Sequence, residues 1–316
     1  MERCGEPQAL ATGLPLYLRS RVREPTLKRY QHSVQLFLLW AFRLHVVLLS
    51  ALDLDLALMH YAHSGEVSKS NFNLTLAAVV FFLPGVGGAL PYTRATLKGW
   101  NRYLPAVHKT PMVFIFVAAC AYHLVQLGFP RLAAGLIVQF AGFLRPGELL
   151  ALKREDATLP EVVRAAGIAR EPFALLALGT AGRGTKVNRK QVAKVRHPWA
   201  IDALRWLHRH TRPKQALVQA TYAEYRSALG KAADRAGFRE LRFLPHCPRA
   251  GAATQGALDG RSVPDLMADG RWSNEQSLKI YLDVATAIAA RTMHLAEGFS
   301  YLLRDRTQIG PIFCPA

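Results

Sequence analysis

Four stretches of this sequence carry side chains suited to holding a phosphate group and attacking it. The first is Gly142-Phe143-Leu144-Arg145-Pro146-Gly147-Glu148-Leu149-Leu150. Pro146 fits the first position of a helix and holds Arg145 extended just before it. A guanidinium there can reach a phosphate bidentately, and Glu148, three residues on, can orient it. The same pair would also serve as an ordinary structural ion pair. The second stretch is Pro245-His246-Cys247-Pro248-Arg249-Ala250-Gly251. Pro248 again starts a helix, which puts Arg249 in the first turn and His246 just before it. Free N–H groups and the helix dipole favour an anion at such a mouth.

The third stretch runs from Asp269-Gly270-Arg271-Trp272 through Ser273-Asn274-Glu275-Gln276 to Tyr281. Ser273 and Gln276 read as a capping box, so a helix should start near Asn274 and carry Tyr281 about two turns inside. A tyrosine hydroxyl is a nucleophile, and an indole N–H is a donor. Plain core packing is the alternative for both rings. The fourth is the densest charge in the chain, between Gly179 and Lys214. Ten basic residues there (Arg183, Lys186, Arg189, Lys190, Lys194, Arg196, Arg205, Arg209, Arg212 and Lys214) stand against the single acid Asp202. As a group they suit a phosphate backbone, where each neutralised phosphate releases counterions; a solvated basic surface is the alternative.

The whole chain agrees with a polyanionic partner. Its 316 residues carry 40 Lys+Arg against 22 Asp+Glu, a net charge of +18, and nucleic acid is the first candidate. Hydrophobic residues make up 51%, too many for a disordered basic tail. Cys4, Cys120, Cys247 and Cys314 are scattered without a CxxC pair. That argues against a disulfide framework or a structural zinc site and for a reducing compartment. The start Met1-Glu2-Arg3 leads into no apolar run, which predicts no secretory signal. Two uncharged stretches, Thr110–Pro130 and Ser70–Thr93, are long enough to cross a bilayer. Pro84-Gly85 interrupts the second, and the first reads equally as a buried helix.

These residues need elements to position them. Residues 1–24 read as an arm, and 25–106 as a small all-helical unit with helices from Pro25, over Leu54–His63 and Asn73–Phe82, and near Thr93–Tyr103. Leu104–Lys109 reads as a linker. The second unit, 107–303, should place helices over 111–128, 131–144 and 146–153, then strands Phe173–Leu178 and Gln191–Val195 around a polar turn. Helices follow over 200–210, 221–236, 249–258, 262–268 and 274–300, before a tail at 304–316. The fold class is mainly α with a small β-hairpin. Charge falls unevenly, +5 over 1–106 and +13 over 107–316.

Arg145, a hairpin lysine, His246-x-x-Arg249, Trp272 and then Tyr281 nine residues later resemble, in that order, the catalytic series of the tyrosine recombinases (the phage integrase family). Thr185-Lys186 matches that family's hairpin lysine, although Lys190 and Lys194 lie on the same hairpin. The Gly-Arg-Trp form is similar to versions in Cryptons and DIRS-like mobile elements. Pro248 inside the HxxR is unusual for the family. The resemblance spans about 107–285. It implies an N-terminal core-binding domain that clamps DNA and a catalytic domain that cleaves and rejoins DNA through a 3′-phosphotyrosyl bond, with no metal or other cofactor.

Double-stranded DNA is the implied partner, contacted by Arg183, Arg189, Lys190, Lys194 and Arg196. Assembly between copies through 285–303 is implied too, with packing in cis as the alternative. Localisation would be nuclear for a eukaryotic source and the nucleoid or cytoplasm otherwise. The competing readings are a catalytically silent DNA-binding protein of the same fold, a type IB topoisomerase-like enzyme, and a membrane protein.

Overall fold

Proline and short polar residues start most helices in the computed structural model, which describes residues 21–104, 110–167, 172–179, 190–282, 288–290 and 292. The chain divides into two units, Met1–Val107 and His108–Ala316. In the first, α1 (Glu24–Arg43) opens with Pro25 in its first turn. Ser50 and Asp53 cap α2 (Ala51–His63) reciprocally, and Ser68 caps α3 (Lys69–Phe82), each satisfying amides that a helix start leaves bare. The buried carboxylate of Asp55 accepts the N–H groups of Tyr92 and Thr93 at 2.9 and 2.8 Å. It thereby fastens the start of α4 (Pro91–Tyr103) onto α2. Phe37, Trp40, Leu58, Tyr61 and Phe72 form the core of this unit.

The second unit is built on α5 (Phe114–Gln126) and α6 (Pro130–Ala141). Helix α6 is buried from Leu132 to Phe140 and packs against α5, α9 (Pro198–Arg209) and α11 (Cys247–Leu258). Helix α5 is itself buried from Ile115 to Ala121 and at Leu124, which accounts for most of the uncharged stretch Thr110–Pro130. Helix α5 has 13 residues, about 20 Å at 1.5 Å per residue, short of a hydrocarbon core of about 30 Å. No helix among the described residues is long and apolar enough to cross a membrane.

Between α6 and α9 lie α7 (Pro146–Ala151), β1 (Ala157–Thr158), α8 (Pro160–Ala165), β2 (Ala174–Leu178) and β3 (Gln191–Val195). The strands form an antiparallel sheet in the order β1-β2-β3, with Leu176 opposite both Ala157 and Ala193. The protein is thus mainly helical with a small sheet, as the sequence predicts. Helix α10 (Tyr222–Arg235) precedes α11, and α12 (Val263–Gly270) and α13 (Glu275–Lys279) follow it.

Three expectations need correction. The helix expected over 131–144 stops at Ala141 because Phe143 adopts a left-handed conformation (φ +51°) and turns the chain toward Arg145. Strand β1 and helix α8 were not foreseen. The helix expected over 274–300 ends at Lys279: Tyr281 N–H donates to the Leu278 carbonyl at 2.8 Å and Leu282 N–H to that of Lys279 at 3.1 Å. These tighter bonds close the helix as a turn. Its cap is the Asn274 side chain, which accepts from the N–H groups of Gln276 and Ser277, not the Ser273–Gln276 box.

Helix α11 lies against the segment entering α5, with Met112 N–H donating to the Cys247 carbonyl at 3.1 Å. A Cβ on Gly251 would stand 1.9 Å from the Met112 oxygen, whereas one on Gly230 in α10 would meet nothing within 4 Å. Gly251→Ala should therefore cost about 2–3 kcal/mol or more of stability through backbone displacement. Gly230→Ala should add about 0.5–1 kcal/mol through helix propensity. Urea unfolding of the two variants beside wild type checks both signs.

Candidate active site

The turn at Gly142–Leu144 brings Arg145 to the mouth of α7, where it is extended (φ −71°, ψ 151°). The fully buried Glu148 carboxylate receives the Arg145 backbone N–H at 2.9 Å and its Nη1 at 2.6 Å. The left-handed Phe143 directs its carbonyl oxygen at Arg249, on the first turn of α11. Arg249 donates Nη1 to that oxygen and Nη2 to the Gly270 carbonyl at 2.6 Å. Its side chain is 1% exposed, and its guanidinium lies 4.3 Å from the Trp272 ring. Pro248 is accommodated in the first turn of α11, where its missing N–H costs no helix bond.

Trp272 is buried, edge-on to Phe143 and 5.5 Å from the ring of Tyr281. Gly270 permits this: a Cβ there would lie 1.6 Å from the indole. Tyr281 is half-buried beyond the end of α13, and its carbonyl accepts the Thr254 hydroxyl at 2.7 Å. His246 is the exposed member, at the start of α11. The structure therefore brings Arg145, Arg249, Trp272 and Tyr281 into one chain of contacts, with His246 beside the two guanidiniums.

Arg271 joins them without having been singled out by any sequence reading. It occupies the left-handed region (φ 58°, ψ 43°) after α12. Its Nη2 donates to Glu148 Oε2 at 2.9 Å and to the Phe143 carbonyl at 3.1 Å. Its Nη1 donates to the Gly142 and Asp269 carbonyls, both at 3.2 Å. The one clue was its place between Gly270 and Trp272, where a charge would be forced close to the indole.

Among the described residues one carboxylate, Glu148, serves this group of three guanidiniums, paired with Arg145 and Arg271. The neighbouring Asp269 is divided between Arg196 and Arg261. The inner group thus carries a surplus of about two positive charges in a half-buried place, which is costly unless an anion completes it. Burial, followed by repulsion from Arg145 and Arg271, pulls the Arg249 guanidinium down to about 9. Burial also lowers Arg271, against the pull of Glu148. The His246 imidazole is lowered first by the protein crowding it, then by Arg249 and Arg145. It is therefore neutral at pH 7. The Nε groups of Arg249 and Arg271 are buried without a partner.

Of the residues expected to contact DNA, Lys190 is exposed before β3, Lys194 lies 3.9 Å over the Phe173 ring, and Arg196 is paired with Asp269 at 3.0 Å. Arg205, counted in the basic run, is held by Glu161 and Asp202. Lys186, Arg183 and Arg189 lie outside the described residues, as do most of 285–303; of that segment Ala290 is buried in the core of its own unit. Among the described residues no group of His, Cys, Asp and Glu is placed to hold a metal ion.

Behind the site, the buried Gln139 ties its two loops together. Its Nε2 donates to the Leu144 carbonyl at 3.2 Å and the Pro245 carbonyl at 2.7 Å, and its Oε1 accepts the Tyr225 hydroxyl. Gln139→Leu should strand these buried groups and cost about 2–4 kcal/mol, read as a lowered urea midpoint. No family model matches the sequence, and no curated protein matches it. Among solved structures, the chain is similar to one described as the crystal structure of XerA recombinase, at 16% identity and a TM-score of 0.43. The match covers 91% of this chain and 98% of that one.

Proposed function

We propose that this protein cleaves and rejoins DNA through a covalent tyrosine–phosphate intermediate, as a tyrosine recombinase of the Gly-Arg-Trp type. The observation that carries this reading is the half-buried surplus of positive charge between Arg145 and Arg249, with a tyrosine packed beside it. Among the described residues Arg145 spends one side-chain N–H on protein, which leaves four of its five for an anion, while Arg249, buried with two spent on carbonyls, supplies charge close by. A phosphodiester is the DNA group that fills such a place, and charge growing on its oxygens during displacement is stabilised more than the ground state.

In this reading the Tyr281 oxygen attacks phosphorus as the bond to the 5′-oxygen breaks. The new tyrosine–phosphate bond replaces the old one, so the step needs no external energy. Neutral His246 takes the phenol proton, and Lys186 gives one to the departing 5′-oxygen. The Trp272 ring supports Arg249 from one side. Return attack by a 5′-hydroxyl, from the same strand or another, reverses these transfers and reseals DNA. The basic run on and around the β2–β3 hairpin binds the flanking backbone.

Two experiments test the reading. On end-labelled nicked DNA of mixed sequence, wild type should give a protein-linked band on a denaturing gel. Tyr281→Phe should give none while binding DNA within about twofold, since one hydroxyl is lost. Arg145→Ala and Arg249→Ala should each slow the reaction by about 10² or more, by analogy with lost oxyanion donors. An adduct formed by the Phe variant, or full rates in both Ala variants, would overturn the assignment.

The second concerns pH. Because the His246 pKa is lowered, its basic form persists to lower pH than in a free histidine. The rate should hold from pH 8 down to about 6.5, the ordinary histidine value, and fall only below it. His246→Gln should remove that acid limb. A limb that survives the substitution would assign the proton acceptor elsewhere.

A further inference from the structure

Arg271 has a role in this site that the motif order does not give it. Its side chain is 7% exposed, and four of its five N–H groups already meet protein acceptors: the Gly142, Phe143 and Asp269 carbonyls and Glu148 Oε2. It has almost nothing left to offer a phosphate. The left-handed backbone it occupies suits glycine or asparagine better, so the arginine is held there by what its guanidinium does. Among the described residues its ion-pair partner is the carboxylate that also holds Arg145.

We propose that Arg271 is a positioning residue that acts through Glu148 to keep Arg145 open toward the bound phosphate. Glu148 uses Oε1 for Arg145 Nη1, and Oε2 for both the Arg145 backbone N–H and Arg271 Nη2. While Arg271 occupies Oε2, the carboxylate holds Arg145 through one side-chain donor and leaves the other four without a protein acceptor among the described residues. Without it, only the Arg145 backbone N–H would hold Oε2, and the carboxylate would turn to grip the guanidinium with both oxygens, the stronger bidentate geometry. Arg145 would then be withdrawn from the phosphate. The left-handed turn at Arg271 also leads directly into Trp272, so one residue ties the placement of Arg145 to the segment carrying Tyr281.

The test uses the full chain and Arg271→Gly, which suits the left-handed backbone and removes only the side chain. Its activity readout rests on the proposed cleavage function; its binding readout does not. The first measurement is the rise in melting temperature with inorganic phosphate. Arg271→Gly loses a buried ion pair and should melt below wild type without phosphate; relative to its own baseline it should need about tenfold more phosphate for half of the rise. DNA affinity should stay within about twofold while covalent capture on nicked DNA slows about tenfold.

Glu148→Gln supplies the second arm. If Arg271 works by restraining this carboxylate, adding Arg271→Gly to Glu148→Gln should cause no further loss. Multiplying losses would overturn the proposal, and so would a wild-type phosphate response in Arg271→Gly. The absence of any phosphate response in wild type would overturn it too. A phosphate response that depends on Arg271, in a protein that forms no adduct, would uphold the positioning role and reject the nucleophile.

Discussion

One buried carboxylate facing three guanidiniums is the constraint on which the site depends. Glu148 is removed from water and would be costly there alone; Arg145 and Arg271 are costly without it. Their mutual need fixes the start of α7 to the end of α12, two elements 123 residues apart in sequence. Among the described residues Arg249 pairs with no carboxylate and is held by carbonyl oxygens and the face of Trp272. Carbonyl dipoles soften a buried charge without neutralising it. The group is therefore assembled with its electrostatic balance left incomplete on one side, and the proposed function draws on that imbalance.

The backbone makes this arrangement possible at two left-handed turns. At Phe143 the turn ends α6 and aims a carbonyl at both Arg249 and Arg271. At Arg271 it ends α12 and delivers Trp272 against the bare Cα of Gly270. Non-glycine residues in this region store modest strain, here offset by the hydrogen bonds the turns create. Behind them stands α6, buried along most of its length, whose Gln139 reaches the loops before Arg145 and before His246. The loops that carry the chemistry are thus fastened to a rigid element.

Much of this was legible in the sequence because proline marks where helices begin. Pro25, Pro91, Pro130, Pro146, Pro198, Pro248 and Pro264 each lie at a helix start, and two of them flank the arginines now found together. The strands of the hairpin were also readable, as short segments bounded by turn residues. Strand β1 was not, because two residues have no periodicity. The helix through Tyr281 was read without the break after Lys279 because the apolar spacing runs on through it, while the Thr254 hydroxyl that meets the Tyr281 carbonyl comes from a distant helix. Arg271 was missed for a related reason: its importance lies in acceptors at 142, 143 and 148, and no local pattern reports them. The uncharged stretch at 110–130 was ambiguous because a helix surrounded by protein and one surrounded by lipid have similar composition.

The shortness of α13 has a mechanical meaning. Tyr281 stands past the helix end, kept in place by two turn bonds, one threonine hydroxyl and the face of one indole. Leu278, fully buried, is the pin just before it. Freeing Tyr281 itself breaks these contacts, the Thr254 bond to α11 among them, and leaves the packing of α5 against α6 in place. Arg249 and Arg271 are thus fixed by buried hydrogen bonds, whereas Tyr281 is held by fewer contacts at the edge of the same core.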